Sequence, residues 1–135
     1  MNVTKQQIID AFTNLKELKH NGIWYSGIKW KGEFKQWWED GQLYLHCFFN
    51  GKDEYKGEFK TWYSDGQLWV HCFYNNQGNR EGKYKKWYDN GQLWKHCHYN
   101  KDGKKEGEYK IWDKSGKLEK HEIYNDDGRV KERVV

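Results

Sequence analysis

The stretch that decides the fold is KGEFKTWYSDGQLWVHCFYN, which runs from Lys56 to Asn75. It contains two short arms rich in aromatic residues, and the pair Asp65-Gly66 stands between them. Asp-Gly favours a tight turn because both residues tolerate a positive φ. Residue types also alternate along each arm, as they do in a strand that has two different faces. The stretch therefore predicts a β-hairpin.

The same pattern occurs three more times, with a spacing of 25 residues. The related stretches are KGEFKQWWEDGQLYLHCFFN from Lys31, EGKYKKWYDNGQLWKHCHYN from Glu81 and EGEYKIWDKSGKLEKHEIYN from Glu106. A fixed period of this length is typical of a repeat array, in which each unit packs on its neighbours. We therefore expect a mainly β fold, a single-layer antiparallel array of four or five hairpins, in a repeat domain that spans residues 22–135.

The two ends of the chain differ from the central repeats. Residues 1–21 predict an N-terminal capping α-helix, because Thr4 and Gln7 fit a capping box and apolar residues then follow at helical spacing. The segment 22–30 is expected to form a truncated unit or an extra strand. The fourth repeat is more polar, with Glu119 and Glu122 where earlier repeats carry Trp and Cys. A polar last unit would protect the open edge of the sheet from aggregation.

The composition excludes several classes of protein. The 135 residues include 9 Trp, 10 Tyr and 6 Phe, enough aromatic surface to stabilise a thin core despite 33% charged residues. No apolar run approaches the ~18 residues of a membrane span, and the first residues do not resemble a signal peptide. We therefore expect a cytoplasmic protein. A net charge of +4, with both signs mixed along the chain, does not indicate a nucleic-acid ligand.

The length of the hairpin turn decides which side chains share a face. A two-residue turn would pair Trp37 with Tyr44, Lys35 with His46 and Phe34 with Cys47. A three-residue turn with a glycine bulge would turn the second arm over. We expect the two-residue turn, because it separates a plain apolar face from a face of Trp, Lys and His.

Recurrent His-Cys pairs do not form a metal or catalytic site in this arrangement. Adjacent residues of a strand point to opposite faces, and equivalent residues of successive hairpins lie ~9.6 Å apart. A zinc ion needs about four ligands at ~2.0–2.3 Å, and a disulfide needs Cα atoms within ~7 Å. Catalysis also needs one distinctive constellation, whereas these residues repeat. We expect no catalytic residue, no metal and no cofactor.

Tryptophan and lysine offer a better candidate site, because aromatic surfaces beside cations suit a protein partner or a stacked ligand. The alternative is a structural role, in which the aromatic ladders hold a one-layer sheet together under lysine stems. Central repeats present the longest uninterrupted surface. The candidate partner- or ligand-binding residues are Trp62, Trp69, Trp87, Trp94, Lys60, Lys85, His71 and His96.

The unit Gly-x-Phe/Tyr-x-x-Trp-Tyr-x-Asn/Asp-Gly-Gln-Leu, followed by Tyr-Asn, resembles the MORN-type repeat between Lys31 and about Arg129. It is most similar to the YwqK-type antitoxin-like variant of bacteria and large DNA viruses. The resemblance implies non-enzymatic hairpin arrays that bind proteins or, in some cases, membrane lipids. It carries over no catalytic residue, and it does not extend to residues 1–20.

These observations lead to one functional hypothesis and one alternative. The hypothesis is a non-enzymatic protein-binding module, a class that includes antitoxin, immunity and host-partner proteins. The alternative is a protein that sequesters a small ligand, a nucleotide or a glycan, through the Trp and Lys columns. We expect neither a membrane lipid nor a nucleic acid as the partner, and the sequence leaves the oligomeric state open.

Overall fold

The structure is a computed structural model that describes residues 24–25, 28–29 and 31–135. Strands β1 (Trp24–Tyr25) and β2 (Ile28–Lys29) form a small antiparallel sheet of their own. The segment 22–30 thus contributes a pair of short strands. The capping helix expected over residues 1–21 lies outside the described residues.

Residues 31–135 form a single open antiparallel sheet of nine strands, as the sequence predicted. Its strands follow one another in chain order, so each hairpin lies beside the next. The strands are β3 (Lys31–Trp37), β4 (Leu43–Asn50), β5 (Gly57–Trp62), β6 (Leu68–Tyr74), β7 (Gly82–Trp87), β8 (Leu93–Tyr99), β9 (Gly107–Trp112), β10 (Leu118–Tyr124) and β11 (Val130–Arg133). Each 25-residue unit is one hairpin, and β11 pairs with β10 at the position that the first arm of a next unit would take.

The expectation of a two-residue turn is wrong at the turn itself. The amide of Trp38 donates to the carbonyl of Gln42 at 2.7 Å, which closes a loop of three residues. Gly41 has a φ of 92°, so it supplies the left-handed residue that such a loop needs. The side chain of Asp40 accepts a hydrogen bond from the amide of Gln42 at 2.9 Å and braces the loop.

A β-bulge directly after the turn restores the predicted register in the body of the hairpin. Trp37 is opposite Leu43, whereas Lys35 is opposite His46 and Phe34 is opposite Cys47. Tyr44 is therefore the extra residue of β4, and the same register shift occurs in the other three hairpins. The turn and the bulge cancel each other for residues beyond them. Tyr44 at the bulge and Leu43, which lies opposite Trp37, are the positions that change face.

The core lies on one side of this single layer, here called the cysteine face. Two clusters of buried side chains form it, one containing Phe34, Cys47 and Phe49, and the other containing Cys72, Tyr84, Cys97, Tyr99 and Tyr109. Aromatic rings meet edge to face across neighbouring strands, as Phe34 and Phe49 do with ring centroids 5.5 Å apart. The opposite side carries the histidine column and is here called the histidine face.

The polar fourth repeat joins β10 to the last strand through a buried carboxylate. Glu122 occupies the position of the three cysteines and is 4% exposed. It accepts hydrogen bonds from Nε of Arg133 at 2.9 Å and from the hydroxyl of Tyr124 at 3.1 Å. Burial opposes its ionisation, but these bonds and the charge of Lys120 hold the pKa of Glu122 below its usual value.

Candidate functional site

A continuous row of lysine and histidine crosses the histidine face. Strand pairing places each member directly opposite the next, with lysine from every first arm and histidine from every second arm. At ~4.8 Å per strand, the row is ~34 Å long. Its members, in order across the sheet, are Lys35, His46, Lys60, His71, Lys85, His96, Lys110 and His121. We call it the Lys–His row.

Glutamates of the first arms neutralise part of this row. Nε2 of His71 lies 2.8 Å from Oε2 of Glu58, and Nζ of Lys60 lies 3.6 Å from the same oxygen. The hydrogen bond with His71 is the main cause that lowers the pKa of Glu58, and the charge of Lys60 adds to it against the opposing effect of burial. His46 and Glu33 repeat the contact at 3.0 Å in the first hairpin.

The third hairpin lacks this neutralising carboxylate. Lys83 stands where the other first arms carry glutamate, so His96 lies near Lys83, Lys85 and Lys110. Burial lowers the pKa of His96, and these three cations lower it further, while Glu108 partly opposes them. The middle of the Lys–His row is therefore its most positive part.

Tryptophan and leucine flank the Lys–His row on the side of the three-residue turns. Trp62 is opposite Leu68, and Trp87 is opposite Leu93. The bulge lies in the second arms, so alternation along β5 and β7 keeps both tryptophans on the side of Lys60 and Lys85. In the first hairpin, Trp37 packs against the cluster of Phe34, Cys47 and Phe49 instead.

Phenylalanine lies on the other side of the row. Phe73 is 37% exposed, and its ring lies 5.1 Å from that of His71. The histidine face thus has cations in its centre and aromatic surface on both sides. Apolar surface with a charged neighbour is suited to binding another protein.

The structure does not bring all eight predicted site residues together. Lys60, Lys85, His71, His96, Trp62 and Trp87 share the histidine face. Trp69 and Trp94 each occupy the bulge and turn to the cysteine face, whereas the two-residue turn predicted them on the histidine face. Trp69 stacks on Tyr63 with centroids 5.3 Å apart, and Trp94 stacks on Tyr88 at 4.6 Å and 9°.

A set of cations on the cysteine face was missed by the sequence analysis. Nζ of Lys86 lies 3.9 Å from the ring centroid of Trp94, and Nζ of Lys95 lies 5.0 Å from that of Tyr84. Arg80 and Lys105 lie over neighbouring tyrosine rings in the same way. A position-by-position comparison of the repeats would have found them, because the first two hairpins carry neutral residues at the corresponding positions.

The cysteines are buried packing residues. Burial raises the pKa of Cys47 to about 12 and is the main cause that raises that of Cys72 to about 11. Such thiols are poor nucleophiles and poor metal ligands, since both roles need the thiolate. Within residues 31–135 and the two short strands before them, no three His, Cys, Asp or Glu side chains converge on a point that could hold a metal ion. No helix long and apolar enough to cross a membrane occurs in the same part of the chain.

Comparison with known proteins agrees with the geometry of the repeats. A search of curated proteins gave no significant match. The family described as "MORN repeat variant" matches the chain four times, at residues 30–50, 55–76, 80–101 and 105–126. Each match covers one hairpin, and together they cover more than half of the chain. MORN repeats are non-enzymatic modules that commonly mediate protein or membrane interactions. This chain belongs to the MORN repeat variant family.

Proposed function

We propose that this protein binds a protein partner through its histidine face, and that the bound surface is acidic with apolar residues at its centre. The observation that supports this proposal is the unbroken Lys–His row between two aromatic borders. In the third hairpin, Lys83 replaces the glutamate that would lie beside His96. A complementary partner would place carboxylates along the row and apolar side chains against Trp62, Trp87 and Phe73.

The different side chains contribute in different ways to such a complex. Lys60 and Lys85 attract the acidic surface, which raises the association rate more than it raises the final affinity. Trp62 and Trp87 supply the apolar contacts that usually dominate binding energy near the centre of an interface. His71 and His96 lie between the lysines, at a spacing that the strand pairing sets. We propose that these contacts serve a cytoplasmic protein of the antitoxin, immunity or host-partner type.

The division of the tryptophans between the two faces argues for a protein partner over a nucleotide or a glycan. A sequestering site needs several aromatic platforms that enclose one ligand. The bulge moves Trp69 and Trp94 away from Lys60 and Lys85. Two tryptophans remain on an open sheet, and an open surface fits an extended partner better.

Selection from a random peptide library displayed on phage tests the proposal and does not require an identified partner. We expect the intact chain to enrich peptides that combine several Asp or Glu residues with an aromatic or aliphatic residue. Titration calorimetry with a selected peptide should then show at least about tenfold weaker binding to the double variant Lys60→Glu, Lys85→Glu. Both changes introduce like-charge repulsion at the centre of the surface.

The matched control is the double variant Lys52→Glu, Lys101→Glu, which makes the same change of charge in exposed loops. It should bind the selected peptide nearly as well as the unmodified chain does. Equal weakening by the two variants would show a general charge effect and would refute the assignment of the surface. Selection of peptides without acidic residues would refute the proposed partner chemistry.

A further inference from the structure

Four cations gather on the cysteine face of the third hairpin and the start of the fourth, away from the histidine face. Arg80, Lys86, Lys95 and Lys105 form this group, here called the basic patch. The charged ends of Arg80 and Lys95 each lie 5.0 Å from the ring centroid of Tyr84. Lys86 and Lys95 are directly opposite each other in β7 and β8.

Shared aromatic rings hold these cations close to one another. The ammonium groups of Lys95 and Lys105 lie 5.0 Å and 4.2 Å from the ring centroid of Tyr109. Lys105 also lies 3.5 Å from the hydroxyl of Tyr124. The patch is thus one cluster of like charges across adjacent strands, and tyrosine rings form its floor.

Carboxylates do not neutralise the basic patch. Among the described residues, no carboxylate oxygen lies within ion-pair distance of any of its four cations. The nearby carboxylate of Glu122 pairs with Lys120 and Arg133 instead. Burial lowers the pKa of Lys95, and the charges of Lys105, Arg80 and Lys86 lower it further. Cation–π contacts with the tyrosine and tryptophan rings offset part of this repulsion.

The first two repeats show that the fold does not need cations at these positions. Thr61 and Val70 stand opposite each other in the second hairpin where Lys86 and Lys95 stand in the third. Tyr55 stands where the next unit carries Arg80. The same backbone therefore forms with neutral side chains, so a second role is the simplest reason for four mutually repelling charges.

We propose that the basic patch binds a soluble anion that carries several condensed phosphate groups. Arginine and lysine are the side chains best suited to phosphate oxygens, arginine through two parallel hydrogen bonds and lysine as a mobile point charge. Four cations within a few strands match a ligand whose charges are equally concentrated. A single phosphate would leave part of the patch unpaired. The aromatic faces are already occupied by cations and by the stack of Tyr88 on Trp94, so the phosphate groups carry the recognition.

Titration calorimetry with inorganic tripolyphosphate at about 0.15 M salt tests this proposal directly. We expect saturable binding with one anion per chain and weaker binding of orthophosphate. The double variant Lys86→Thr, Lys95→Val introduces the residues of the second hairpin, so its hairpin should still form. It should bind tripolyphosphate at least about tenfold more weakly, since hydrogen bonds to charged groups are lost.

The double variant Lys60→Thr, Lys85→Thr is the matched control, because it removes two charges from the histidine face. It should keep the affinity of the unmodified chain. Lysine acetylation of the unmodified chain gives a second measurement that needs no variant: tripolyphosphate should protect Lys86 and Lys95 and leave Lys60 and Lys85 reactive.

Three results would overturn the proposal. The first is the absence of saturable binding at about 1 mM tripolyphosphate. The second is an equal loss of binding in the two double variants. The third is tighter binding of polyglutamate than of tripolyphosphate. The last result would assign the patch to an acidic peptide. Each of these results leaves the peptide selection on the histidine face unaffected, so the two proposals stand or fall separately.

Discussion

Truncation of Phe49 to alanine tests whether the cysteine face holds the sheet together. Phe49 is 3% exposed, and its ring centroid lies 5.5 Å from that of Phe34 and 5.1 Å from that of Tyr55. Removal of a buried phenylalanine side chain costs ~3–5 kcal/mol, and the lost ring contacts place this residue toward the upper end. We expect Phe49→Ala to lower the free energy of unfolding by about 4 kcal/mol.

Phe73→Ala is the matched control on the histidine face. Phe73 is 37% exposed, and the ring contact shown for it is with His71. Its truncation should therefore cost only about 1 kcal/mol. Urea unfolding followed by circular dichroism measures both values, provided that the slope m stays the same. Costs within about 0.5 kcal/mol of each other would refute the assignment of the core to the cysteine face.

Hydrogen exchange gives the position of the damage as well as its size. In a repeat array, stability is a sum of units and of contacts between neighbours. Phe49→Ala should therefore reduce amide protection most in β3–β6 and least in β9 and β10. A uniform loss of protection across the sheet would show that the array unfolds as one unit and would contradict this local view.

Three further predictions follow from the contacts between repeats and from the buried groups. Tyr88→Phe should cost ~0.5–1.5 kcal/mol in a urea melt, because the hydroxyl of Tyr88 donates to the carbonyl of Trp112 at 2.8 Å; no cost would mean that the bond adds nothing. Cys47 and Cys72 should resist alkylation by iodoacetamide at pH 8 until urea unfolds the chain, because both thiols are buried. Mass spectrometry measures the alkylation, and rapid labelling of the folded protein would contradict their burial. The pKa of Glu122 is lowered in the folded state, so its contribution to stability is complete above the unfolded value of about 4.3 and is lost as the pH falls through the folded value. Melting curves of Glu122→Gln should therefore show a lower Tm at neutral pH and a smaller further loss in acid, and an unchanged acid profile would refute the role of this carboxylate.

The amino-acid sequence alone was enough to determine the architecture. A period of 25 residues, with Asp-Gly or a similar pair in each unit, allows little except a chain of hairpins. The pairing of Phe34 with Cys47 and of Lys35 with His46 was also predicted, although from a two-residue turn that the structure replaces with a longer turn and a bulge. These are local properties, because the residues that decide them lie within one hairpin.

Only the tertiary structure decided how the side chains are divided between the two faces. The three-residue turn and the bulge at Tyr44 each shift the register by one residue, and they cancel in the strand but not at the bulge. Trp69 and Trp94 therefore changed face, although Trp62 and Trp87 did not. The basic patch also depends on contacts between neighbouring hairpins, which bring Lys95 of the third hairpin and Lys105 of the fourth over the ring of Tyr109. A sequence pattern shows which residues alternate along one strand, but the hydrogen-bond register between strands decides which of them meet.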